Sequence, residues 1–175
     1  MCSIDNLKID MKALEEGEHT VEATLNDAFF TSIEGSEINQ GDVHVDVSIR
    51  KTAHFSEISL HATGYVVITC DRCLDPMDQH IDAEQKLMVK NGDKYSEEDD
   101  IITITDENSV VDMSWYAYEA IVLSLPVKHV HAPGKCNRAM INILQQYSAT
   151  RSDDTAETQN IDPRWSKLMQ LKTDN

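Results

Sequence analysis

The chain of 175 residues is long enough for one domain, or for a domain with a small appendage. Hydrophobic residues make up 41% of it and charged residues 26%, an ordinary globular balance, but 31 Asp and Glu against 15 Lys and Arg leave a net charge of −16. That charge argues against a broad grip on nucleic-acid phosphates and leaves a basic protein, or a restricted positive face touching RNA, as partners.

The first 42 residues are weakly patterned. Val21, Ala23 and Leu25 alternate with polar residues and predict a strand, Ala28–Phe30 are expected to begin a loop, and Gly35 and Gly41 punctuate a polar stretch. After Gly41 the period sharpens. Val43, Val45, Val47 and Ile49 alternate with His44, Asp46, Ser48 and Arg50, as a half-buried strand requires. Ile58, Leu60 and Ala62 repeat the alternation, and Gly64 permits a bulge or bend before the β-branched run Tyr65–Thr69. Asp75-Pro76 marks a reversal, beyond which Ile81, Ala83, Gln85, Leu87 and Val89 share one face. These strands, joined by short connections, predict an antiparallel meander with one wet face. Residues 91–100 read as a polar, acidic loop, and Ile101–Thr105 as a short edge strand.

The second part is helical. Asp112 can cap a helix running through Ser124, with Met113, Ala117, Ala120, Ile121 and Ser124 on one face and Tyr118, Val122 and Leu125 on another, so the helix is expected to be mostly buried against the sheet. Pro126 stops it. A second helix should follow Gly134, where Met140, Ile141, Leu144 and Tyr147 fall at helical spacing. The fold class is therefore α+β, an antiparallel meander or partly closed sheet packed with two or three C-terminal helices. One such domain is expected over residues 1–147, a flexible linker over 148–161 and a docking helix over 162–175. In that last segment Asp162 can cap, Pro163 suits the first helical position, and Trp165, Leu168 and Met169 form an apolar stripe able to bind a partner or the chain's own domain.

The opening residues lack a basic and then apolar signal pattern, and no 18 apolar residues run together, so a soluble cytoplasmic protein without a membrane role is expected. In a reducing compartment cysteines are read as packing residues, metal ligands or redox groups. Cys70-Asp71-Arg72-Cys73 is the spacing with chemical content. Two thiols three positions apart at a strand end can converge on one ion, whereas a thioredoxin-like motif needs a helix starting at the first Cys. The remaining donors can come from His131 and Cys136, in a Pro- and Gly-bearing loop between the two helices, with His129 as an alternative to His131. Cys70, Cys73, His131 and Cys136 would close a structural Cys₃His site around one zinc ion, whose net −1 charge Arg72 or Lys135 could offset. A closed site leaves no position for water, and no nucleophile elbow, phosphate loop or dinucleotide fingerprint appears, so no catalytic residues and no small-molecule substrate are expected. A CxxC redox or metal enzyme is the alternative. Arg50, Lys51 and Arg72, joined by Lys86 and Lys90 if the strands pair, are candidates for a basic patch.

Ile68-Thr69-Cys70-Asp71-Arg72-Cys73-Leu74, then Glu119–Pro126, then Val130-His131 and Cys136, resemble the YceD-like family of large ribosomal RNA subunit accumulation proteins. Asp162-Pro163-Arg164-Trp165, with Leu168 and Leu171, is similar to that family's C-terminal signature, so the resemblance spans about residues 43–172. It implies a non-catalytic ribosome-biogenesis factor supporting accumulation of large-subunit ribosomal RNA. Its recurring cysteines map onto Cys70, Cys73 and Cys136, with His131 where members place a His or Cys. A basic large-subunit ribosomal protein, ribosomal RNA, or both are the implied partners.

Overall fold

The computed structural model describes residues 6–98 and 100–148. In chain order it contains β1 (Lys8–Asp10), β2 (Gly17–Leu25), α1 (Asp27–Ser32), β3 (Gln40–Lys51), β4 (Phe55–Thr69) and β5 (Pro76–Asn91). Then follow β6 (Ser96–Glu98), β7 (Ile101–Ile104), β8 (Val110–Asp112), α2 (Met113–Ser124) and α3 (Arg138–Tyr147). The chain divides into two compact units, Met1–Ile141 and Asn142–Asn175. The expected linker and docking helix, with Trp165, Leu168 and Met169, fall from residue 149 onward outside the described residues.

The architecture is α+β. A six-stranded sheet in the order β2-β3-β4-β5-β7-β6 is accompanied by a small β1–β8 ribbon. From β2 to β5 the strands run as an antiparallel meander whose side chains alternate between a buried and an open face. Val43, Val45, Val47 and Ile49 face inward with Ile58, Leu60 and Ala62 beside them; α2 packs over β4 and β5 with Met113, Ala117 and Ile121, and α1 packs against β3. Burying apolar area of this kind contributes about 25 cal/mol per Å² removed from water.

Four expectations change in detail. Ala28–Phe30 belong to a helix, because the Asn26 side chain accepts the N–H groups of Ala28 and Phe29 and both phenylalanine rings sink into the core, 5.3 Å apart and edge to face. Gly64 makes no bulge. β4 pairs one-to-one on both sides through Thr63, Gly64 and Tyr65, and the glycine serves close approach instead: at φ 153° a Cβ would collide with the Asp42 carbonyl and lie 2.8 Å from the Val43 Cα. β7 is not an edge. It lies between β5 and β6, parallel to β5, and Glu97 and Glu98 of the expected acidic loop form part of the outer strand, where charge discourages further pairing. Finally, α2 is buried on one face only. Trp115, Val122 and Leu123 are exposed, because a single sheet covers the helix from one side.

Candidate metal centre

The β4–β5 connection bends sharply. Asp75 and Cys70 close it, with the Cys70 N–H donating to the Asp75 carbonyl at 2.9 Å and the Leu74 N–H to the Cys70 carbonyl at 2.9 Å. Leu74 sits at φ 63°, the left-handed region that L-residues enter at a cost, and so reverses the chain directly after the second thiol. Cys70 and Cys73 are buried, at 0% and 1% exposure.

The segment between α2 and α3 supplies the other half. Ala132-Pro133-Gly134-Lys135 is a type II turn: proline presets the first central φ, Gly134 takes φ 81°, and the Lys135 N–H donates to the Ala132 carbonyl at 3.0 Å. The turn folds Cys136 back beside His131. The ligand-capable atoms of Cys70, Cys73, His131 and Cys136 all lie within 4.8 Å of one another, and Cys73 Sγ is 3.3 Å from His131 Nδ1. Sulfurs bound tetrahedrally to zinc stand roughly 3.8 Å apart, so a small contraction would seat an ion.

The two candidate histidines have different surroundings. His131 Nε2 faces the Pro76 carbonyl at 3.3 Å. A carbonyl only accepts, which assigns the proton to Nε2 and turns the Nδ1 lone pair toward the thiols, the tautomer a metal-binding histidine needs. His129 is engaged elsewhere, its ring nitrogens 3.3 Å from Asp71 Oδ1 and 3.2 Å from the Pro126 carbonyl. It is therefore His131 that joins the cysteines.

Burial pushes the Cys70 thiol up, but the backbone N–H groups of His131, Arg72 and Cys73, together with the His131 side chain, outweigh it, and the thiol is lowered to about 6. Cys136 moves the other way, pushed up by burial and by its sulfur neighbours Cys73 and Cys70. Amide dipoles thus hold one thiolate comfortably, while three in one corner, two of them buried and Cys136 half-buried, call for a cation. The donor set fits a thiophilic divalent ion, with four protein donors completing the tetrahedron.

Three supporting residues escaped the sequence reading. Asp71 fastens the hairpin tip to His129, and Asn137 Nδ2 donates to Asp75 Oδ2 at 3.1 Å while its Oδ1 accepts the Ala139 N–H at 3.0 Å at the start of α3. An Asn just before a helix is a recognisable capping signal, and it could have found Asn137. The partnership of Asp71 is visible only in three dimensions.

The candidate basic patch does not assemble as one surface. Arg50 and Lys51 point to opposite faces of β3, and the Lys51 ammonium donates to the Met11 and Leu14 carbonyls at 2.8 and 2.6 Å. Arg72 is exposed at the hairpin tip, roughly 40 Å along β4 from the Arg50 partner Glu57. Arg50, Lys86 and Lys90 do share the open face, at the end remote from the tip.

Residues 58–172 match the family described as Large ribosomal RNA subunit accumulation protein YceD. The chain belongs to the YceD family. The match opens within β4 and includes the hairpin tip, α2 and the connecting loop, so all four clustered side chains lie inside the matched residues, while β1, β2, α1 and β3 precede it. Neither curated proteins nor solved structures match the chain. Among the described residues no helix is long and apolar enough to cross a membrane.

Proposed function

We propose that this YceD-family chain is a non-catalytic, cytoplasmic factor of ribosome biogenesis. It supports accumulation of large-subunit ribosomal RNA by binding a basic ribosomal protein of that subunit, with ribosomal RNA as the lesser contact. One zinc ion held by Cys70, Cys73, His131 and Cys136 would clamp the β4–β5 tip to the loop after α2. The observation that carries this reading is the closed geometry of the four-donor cluster: an ion with four protein ligands braces a fold and leaves the surface to do the binding. The charge of −16 favours a lysine-rich protein over naked RNA and implies steering that salt weakens. Residues 162–175, tethered through 148–161, would supply a further contact through Trp165, Leu168 and Met169, and Arg72 another at the tip.

The test is purification from cells across a salt series, with metal quantified on the same sample. Stoichiometric zinc, together with a basic large-subunit protein retained at low salt and lost at high salt, is the expected result. RNA alone in every fraction would overturn the protein-binding version. Removing residues 162–175 should weaken partner retention at unchanged stability.

The lowered Cys70 thiol favours one second reading, a CxxC redox enzyme. Such chemistry needs a thiol that a substrate can reach, whereas both thiols of the motif are buried. Rapid alkylation of Cys70 or Cys73 in metal-free native protein would revive it.

A further inference from the structure

The open face of the sheet is electrically divided. On the half nearest the hairpin tip, Glu22, Asp42, Asp46, Asp78, Asp82 and Glu84 project from β2, β3 and β5, and no Lys or Arg joins them among the described residues. The remote half is balanced, with Arg50, Lys86 and Lys90 against Glu18, Glu57 and Glu98. Cross-strand register sharpens the contrast. Glu22 lies directly opposite Asp46, then comes His61, then Glu84, so one row across four strands holds three carboxylates and an imidazole. Two like charges directly opposite are destabilising in a sheet, and here they are relieved only in part: His44 Nε2 stands 3.3 Å from Asp46 Oδ1 and His61 Nε2 is 2.9 Å from Asp82 Oδ1. Tyr65 lies amid these acids, opposite Asp42 and His80, and is 48% exposed.

We infer that this half-face is the docking surface for a lysine- and arginine-rich protein segment, an inference that rests on the reading of a basic partner given above. Charge complementarity carries it. A cationic segment relieves the Glu22–Asp46 repulsion, and Tyr65 offers a ring face to a lysine or arginine. The belt spans four strands, about 14 Å, and about 20 Å along β5. That area suits several cationic side chains and exceeds the reach of one ion. Glu22, His44 and Asp46 alone have the spacing of a metal trio, so an ion is the competing occupant. RNA is disfavoured, since its phosphates would meet six carboxylates. The step in charge toward the remote half also fixes which end of the face the segment occupies.

The experiment compares two full-length variants of equal net charge. Glu22→Gln/Asp46→Asn/Glu84→Gln removes three charges from the belt, and Glu15→Gln/Glu98→Gln/Glu107→Gln removes three exposed charges elsewhere. Binding of a labelled synthetic peptide of alternating lysine and glycine is measured at low and near-physiological salt. The belt variant should lose affinity about tenfold or more and the control less than about twofold. The belt variant should also melt no lower than wild type, since it removes a repulsion, which separates lost binding from lost folding. Equal losses in the two variants would overturn the proposal in favour of whole-molecule attraction. So would manganese(II) broadening the resonances of Glu22, His44 and Asp46 while the peptide leaves them unmoved. A basic ribosomal protein that co-purifies equally with wild type and belt variant overturns the surface and leaves the partner reading intact. If wild type retains no basic protein and binds no peptide, both fall.

Discussion

Asp71 and His129 hold each other through backbone and side chain together. The Asp71 N–H donates to the His129 carbonyl at 2.9 Å, the His129 N–H donates to Asp71 Oδ2 at 2.8 Å, and His129 Nε2 stands 3.3 Å from Asp71 Oδ1. Asp71 lies between the two cysteines of the hairpin tip and His129 two residues before His131, so this contact fixes the spacing of the donors without touching them. Supporting residues of metal sites typically contribute 10–100-fold to affinity. Asp71→Ala should therefore weaken zinc binding by about tenfold or more, read by competition with a chromophoric chelator. Unchanged affinity would show that the four donors converge without this contact.

Metal removal should be felt across the fold. An ion present at a thousand times its dissociation constant adds about 4 kcal/mol to stability. For a chain of this size that is about 10 °C in Tm. Cys73→Ser should abolish the difference between loaded and chelator-treated protein, His131→Ala should shrink it, and His129→Ala should keep one zinc per chain. Loss of stoichiometry in His129→Ala but not in His131→Ala would reverse the ligand assignment.

Backbone strain gives two opposite expectations. Leu74 is 66% exposed and held at φ 63°, so Leu74→Gly relieves a left-handed leucine while losing little buried area. It should raise stability by about 0.5 kcal/mol, after the added freedom of the unfolded chain is set against the relief. Leu74→Val should lower it. Gly64→Ala meets the Asp42 carbonyl in the centre of the sheet and should cost about 3 kcal/mol or more. Urea titration of the three variants reads all of these, and a neutral Gly64→Ala would refute the close-approach argument.

Acid should unpick the N-terminal ribbon. The Ser109 hydroxyl and the Lys12 N–H donate to the Asp10 carboxylate and hold it below its ordinary 3.8. A depressed carboxyl lends stability that is present above the ordinary value and lost as pH falls through the depressed one. Wild type should therefore exceed Ser109→Ala in stability by a constant margin near neutrality, and the margin should close below about pH 4. The opposite sign applies to His61, raised by its hydrogen bond to Asp82. Its contribution is full below 6.5 and fades as pH rises through the higher folded value. Asp82→Asn should return the His61 NMR titration toward 6.5.

The parts legible in the sequence were those with enough length to show a period. Val43–Ile49 and Ile81–Val89 declare their buried faces by alternation, and Asp112 and Pro126 bracket α2 correctly. Six residues of α1 are too few for a helical period, and its signals, Asn26 and the pair Phe29-Phe30, look equally like a loop that buries aromatics. The parallel pairing of β7 with β5 depends on which strand edge is still vacant, which no local pattern records. At the metal centre the donors were readable because thiols three apart and a proline-glycine turn carry their geometry locally. The choice between His129 and His131 was not, since it turns on the Pro76 carbonyl more than fifty positions away. Lys51 illustrates the same limit: read as a free cation, it is bound to two carbonyls of the N-terminal loop.

The β1–β8 ribbon has a consequence for how the chain is made. Lys8–Asp10 pair with Val110–Asp112, the Met11 N–H reaches the Ser109 carbonyl at 3.0 Å, and Ile9 and Val111 pack into the core. On the ribosome Lys8–Asp10 emerge about a hundred residues ahead of their mates, whereas the meander can zip up as each hairpin leaves the exit tunnel. β1 must therefore wait for its strand partner until β8 has been made, and the ribbon is latched only after the meander it closes over.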